Sequence, residues 1–210
     1  MNTAARYWGY LWLTTICLIT CGTLASCGVT RSAQLPHFSL REIHRTHPEL
    51  TANEVDSLLT AVGANKIFVE EFLHPTLIAL SFYPELAQTQ IEFKYSNEAT
   101  TMAARPKPTS MLWGRRYIVA INNCEDFEGI KLEEVPFNAQ IGIIGHELAH
   151  IADYQNHNFF GVMGILFRYS NKKRKPLFEH EIDRATIERG LGWQLYDWAE
   201  YSLSSQSSST

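Results

Sequence analysis

His146-Glu147-Leu148-Ala149-His150 carries the chemistry that stands out in this chain, in the pattern H-E-x-x-H. On a helix, residues four apart share one face, so both imidazoles can reach a single metal ion. Glu147 follows the first histidine and can point at a water held by that metal. A metal makes such a water acidic, and a glutamate beside it can take the proton. The pattern therefore predicts metal-assisted hydrolysis, provided the chain supplies a helix, a third ligand and a cleft.

The helix is well signalled. Pro136-Phe137-Asn138 reads as a break followed by a capping residue, Asn138. Ile141, Ile144, Leu148 and Ile151 then recur at spacings of three and four, the stripe of an amphipathic helix. Gly142 and Gly145 each lower helix propensity by about 1 kcal/mol, and they let another element approach the ligand helix closely.

A catalytic zinc site usually takes three protein ligands and a water, so two histidines leave it incomplete. A metzincin continuation would put Gly at 153 and His at 156, where this chain has Asp153 and Asn156, with His157 one residue late. Asp153 itself, three residues past His150 on the same helix, is expected to point beside the metal. Downstream, Phe178-Glu179-His180-Glu181-Ile182-Asp183 places Glu179 and Asp183 on one face of a second helix. If that helix sits one residue differently, His180 becomes the ligand, and Glu181 is also available.

The combination of H-E-x-x-H with E-x-x-x-D resembles the gluzincin metallopeptidases, the thermolysin-like clan and its HtpX-like branch. The resemblance runs from the first strands to Leu195 and suits a small single-domain form. It implies a Zn²⁺ site held by His146, His150 and Glu179, with Glu147 as general base. It also implies that Asp183 bonds a ligand histidine from behind, which would fix its tautomer and raise its basicity. The implied fold is α+β and zincin-like: a small mixed β-sheet packed on the H-E-x-x-H helix, followed by a helical C-terminal part. An edge strand would border the cleft and pair with extended peptide substrate. No motif selects the group that would stabilise the oxyanion; Tyr154, His157, Tyr169 and Arg184 are the candidates.

Several elements must position these residues. Pro48 to Gly63 reads as a helix with a capping box at Thr51 and Glu54. Lys66 to Leu80 is apolar, with a break expected at His74-Pro75. Gln90 to Tyr95 alternates as a strand, with Ile91, Phe93 and Tyr95 on one face. Thr100 to Arg105 is the expected edge strand, and Arg115 to Asn122 is a third strand. Gly161, Val162, Ile165, Leu166 and Phe167 suggest a short roof over the cleft, followed by the basic run Lys172 to Lys175. Trp193 to Tyr201 reads as a closing helix, with Trp193, Tyr196 and Trp198 expected in the core.

The N-terminus reads as a leader. Arg6 precedes the apolar stretch Tyr10 to Thr20, which is short for a transmembrane span. Leu24-Ala25-Ser26-Cys27 resembles the lipobox of bacterial lipoproteins, which implies a signal peptide over 1–26 and a lipidated Cys27. With Gly28 next, the resemblance favours the outer membrane or cell surface. Residues 27–45 read as a tether, 46–201 as the domain and 202–210 as a disordered Ser-rich tail. Of four cysteines, only Cys124 lies in the body, so no internal disulfide is expected there, and Cys124 reads as a small buried hydrophobe. A formal charge of −4 suggests no nucleic-acid partner. The expected partners are a peptide or protein substrate, and the membrane through Cys27. The rival expectation is a non-catalytic envelope lipoprotein that uses the same fold as a binding or assembly module. The presence of Glu147, which metal binding alone does not need, favours the enzyme.

Overall fold

A computed structural model describes residues 44–107, 115–157, 161–162, 164–165 and 173–207. The leader, the lipobox and the tether up to residue 43 lie outside the described residues, as do Leu166, Phe167 and Tyr169. Helix α1 spans Ala52–Val62 and starts on the expected capping box, in which Thr51 N and Oγ1 both donate to the Glu54 carboxylate at 2.8 and 2.7 Å. Strand β1, Lys66–Ile67, and helix α2, Leu73–Ser81, follow. Pro75 does not break the chain as expected. It occupies the first turn of α2, where a backbone N–H has no partner within the helix and its loss costs little.

Strands β2, Gln90–Ser96, β3, Met102–Pro106, and β4, Arg116–Asn122, join β1 in a four-stranded mixed sheet of order β1-β2-β4-β3. β1 and β2, and β2 and β4, run parallel, while β3 pairs antiparallel to β4 and forms an outer edge. β4 is buried from Tyr117 to Asn122, as suits a strand covered on both faces. Ile91 and Phe93 enter the core as expected, but Tyr95 is 41% exposed. Near the strand's end its hydroxyl reaches out to donate to Glu71 at 2.5 Å.

Helix α3, Phe137–Asn156, lies against the sheet and carries the H-E-x-x-H residues. It begins two residues earlier than expected, with Pro136 and not Asn138 at the cap position. Asn138 lies inside the helix, and its side chain does other work. Its oxygen accepts from His47 N at 3.1 Å, and its amide donates to Arg45 O at 3.1 Å and to Asp197 at 2.5 Å. His44 and Arg45, expected in the tether, are thereby part of the body, and Arg45 also pairs with Asp197 at 2.6 Å.

Helix α4, Lys175–Thr186, leads through a π turn at Ile187–Leu191 into helix α5, Gly192–Ser207. Gly190 makes this turn with φ 102°, a left-handed conformation strained for any side chain. α5 packs on α3 through Gln194 and Leu195, with Leu191 of the π turn beside Gly145 and Trp198 half-buried against the core. Trp193 and Tyr196 therefore face the other way, 45% and 52% exposed, and are not core residues. Arg45 lies 4.9 Å from the Trp193 ring centroid. The tail, expected to be disordered from Ser202, continues as helix to Ser207, with Ser204 and Ser205 hydroxyls donating to Tyr201 O. Val162 and Ile165 of the expected roof are buried, and the rest of that element falls mostly outside the described residues.

Candidate metal centre

His146 and His150 sit one turn apart on α3 with ring centroids 4.9 Å apart. Their register is held from behind by close helix packing. A Cβ on Gly142 would meet Gln194 O at 2.2 Å and Gln194 C at 2.3 Å, so α5 can lie there only against a glycine. Gly145 faces the Leu191 side chain, and its carbonyl accepts from the buried Tyr83 hydroxyl at 2.6 Å. Tyr83 is covered in turn by Arg189, whose guanidinium lies 4.9 Å from its ring and pairs with Glu85 at 2.9 Å.

α4 crosses α3 at the histidines. Phe178, 3% exposed, anchors the crossing against His150, with ring centroids 5.5 Å apart. The next residue, Glu179, then faces both imidazoles. Its Oε2 lies 3.2 Å from His146 Nε2 and 3.6 Å from His150 Nε2. One donor atom from each of these three residues falls within 4.8 Å of the others, so the group can hold a metal ion. Asp183, one turn further along α4, bonds His146 Nδ1 at 2.8 Å. Asp183 thus engages Nδ1 from behind and turns Nε2 toward Glu179; a metal bound there would take the place of the Nε2 proton, with Nδ1–H still donating to Asp183.

The electrostatics suit a cation. Burial, the largest influence on His146, pulls its pKa down, but the Asp183 and Glu179 hydrogen bonds outweigh it and raise the value to about 10. Burial also pushes the Glu179 carboxyl up, and its bonds to His146 and His150 more than reverse this, holding it well below the usual carboxylate range. Two imidazole nitrogens and an ionised carboxylate oxygen form a donor set that suits a borderline divalent metal.

The other candidate ligands lie outside this group. His180 and Glu181 are exposed on the outer face of α4. His157 and Asp153 approach one another at 3.4 Å and stay outside the cluster. Among the oxyanion candidates, Arg184 points to Glu188 at 2.7 Å on the solvent side, and Tyr154 stacks between His150 and Tyr117. Neither these nor His157 lines the cleft.

That cleft, about 1180 Å³, opens between β3, the loop after β4, and α3 to α5, with Met102, Phe127, Glu147, Glu179 and Trp198 among its walls. Cys124 also borders it and is partly exposed, not a buried hydrophobe. Glu147 is 7% exposed, and its Oε2 accepts from the Ala104 backbone N–H at 2.6 Å. This contact escaped the sequence reading, because a backbone donor on a strand edge has no residue signature.

If Asp183 orients His146 as this geometry indicates, Asp183→Asn weakens metal binding by about 10–100-fold while the fold persists. Competition with a fluorescent chelator measures this, and unchanged affinity would exclude the role. Comparison with protein-family models, with curated proteins and with solved structures finds no match for this chain.

Proposed function

We propose that this protein is a zinc-dependent peptidase of zincin-like, gluzincin type. The observation that carries the reading is the convergence of His146, His150 and Glu179 on one point, within 4.8 Å, on the cleft wall that also holds Glu147. Zinc bound there supplies an acidified water and a polarised scissile carbonyl. Glu147 takes the water's proton and passes it to the leaving amine. His146 keeps its orientation through Asp183. The edge strand β3 offers backbone groups to an extended peptide, the simplest way for a cleft beside a sheet to hold a chain irrespective of its side chains.

The proposed setting is the bacterial envelope, at the outer membrane or cell surface, with lipidated Cys27 as the membrane anchor. The Leu24–Cys27 tetrapeptide and the concentration of cysteines in the leader support it.

The test is metal analysis of the purified protein together with cleavage of a peptide library. About one zinc per chain is expected, with cleavage abolished by a chelator and restored by zinc. Glu179→Ala is expected to weaken zinc binding by more than the roughly hundredfold upper range for loss of an outer partner. His180→Ala is expected to leave it within about twofold, because that ring faces solvent. A protein that binds no metal would overturn the reading, and metal without cleavage would favour the envelope binding module.

A further inference from the structure

Glu147 does not stand alone in the cleft: the backbone of β3 holds its carboxylate. The register shows why that donor is available. Asn122 N donates to Thr101 O at 3.0 Å, and Lys107 N donates to Arg116 O at 2.7 Å. Odd-numbered residues of β3 thus turn their backbone groups to β4, and even-numbered residues turn theirs to the open edge. Pro106, which has no N–H to give, occupies an even position, where a strand tolerates it. Ala104 is also even, so its N–H lies outside the ladder and points across to Glu147. A buried carboxylate needs such a donor, and this one bonds a single oxygen of a side chain that lines the cleft.

We propose that the Ala104 backbone N–H is a positioning group for the general base. It holds Glu147 in the orientation that serves the reaction and couples the base to the strand along which a peptide lies. The role follows from how unevenly a glutamate and an imidazole are restrained here. His146 is fixed by Asp183, whereas Glu147 has three rotatable bonds that this contact closes. Because Ala104 is locked to β4 on both sides through Ala103 and Arg105, the base inherits the rigidity of the sheet. The proposal rests on the peptidase reading of Glu147.

The test uses the full chain, with reduced and carboxymethylated insulin B chain as the substrate probe. Ala104→Pro removes the N–H and leaves the ladder bonds of the neighbouring odd residues in place. The expected result is unchanged zinc content, a KM within about threefold, and a kcat at least about tenfold lower, since small misplacements of a reacting group carry costs of that order or more. Ala104→Gly, which restores the N–H, recovers most of the lost rate. An unaltered kcat in Ala104→Pro overturns the proposal, and so does a loss confined to zinc content or KM.

A second measurement needs neither proline nor catalysis. Amide hydrogen exchange at Ala104 is expected to be at least about tenfold slower in the unaltered protein than in Glu147→Ala, because only the former engages the N–H. Equal exchange rates overturn the proposal. If insulin B chain and the wider library are not cleaved at all, the peptidase reading fails, and the exchange comparison by itself decides whether Ala104 holds Glu147.

Discussion

Glu147→Gln is expected to retain about one zinc per chain and to lose peptide cleavage by roughly 10²–10⁴-fold, the usual share of a general base. The two halves of this expectation have separate physical origins. The substitution is isosteric, and a glutamine carbonyl can still accept the Ala104 N–H, so the packing around the 7%-exposed side chain survives. None of the three converging donor atoms belongs to Glu147, so the metal stays. An amide oxygen cannot take up a proton from water at neutral pH, however, so the chemistry stops. Metal analysis and initial rates on one preparation check both halves. Loss of metal along with activity would recast Glu147 as a structural residue, and unimpaired cleavage would remove it from the mechanism.

Gly142→Ala is expected to destabilise the fold by about 3 kcal/mol, at the upper end for overpacking, and so to lower Tm by roughly 6–12 °C for a domain of this size. The sign is informative. In an exposed helix the same change would stabilise by up to about 1 kcal/mol through helix propensity. Here the added methyl would meet backbone atoms of α5, Gln194 O at 2.2 Å and Leu195 N at 2.7 Å, which can yield only if the helix moves. Gly145→Ala serves as the contrast. Its nearest neighbour is the end of the Leu191 side chain at 2.5 Å, which can rotate aside, so its cost is expected below about 1.5 kcal/mol. Thermal unfolding of the two variants side by side tests the ranking. A more stable Gly142→Ala would show that α5 does not lie against α3 as described.

Much of the fold was legible because its signals are local. The apolar stripe of α3, the Thr51–Glu54 cap of α1, and the strands around Ile91, Ala104 and Val119 each follow from a few neighbouring residues and a single period. Errors arose where a local signal had a tertiary competitor. Asn138 has the character of a cap, yet Arg45, His47 and Asp197 claim its side chain. Pro75 reads as a breaker, yet it falls where a helix needs no N–H. Trp193 and Tyr196 are apolar enough for a core, but only one side of α5 can face Gly142, and that side begins at Leu191 and Gln194.

The candidate site divides along the same line. His146, Glu147 and His150 could be singled out from sequence because a helix brings residues four apart onto one face wherever it sits. The choice of Glu179 over His180, Glu181, Asp153 and His157 could not, because it depends on the angle at which α4 crosses α3. That angle is set by long-range contacts: Phe178 on His150, and the packing of α5 on Gly142 beyond the kink at Gly190. The hold of Ala104 on Glu147 is further still from the sequence, since it uses a backbone atom that every residue but proline possesses. Local periodicity determined which residues share a face, and the packing of one helix against another and against a strand edge decided which faces meet.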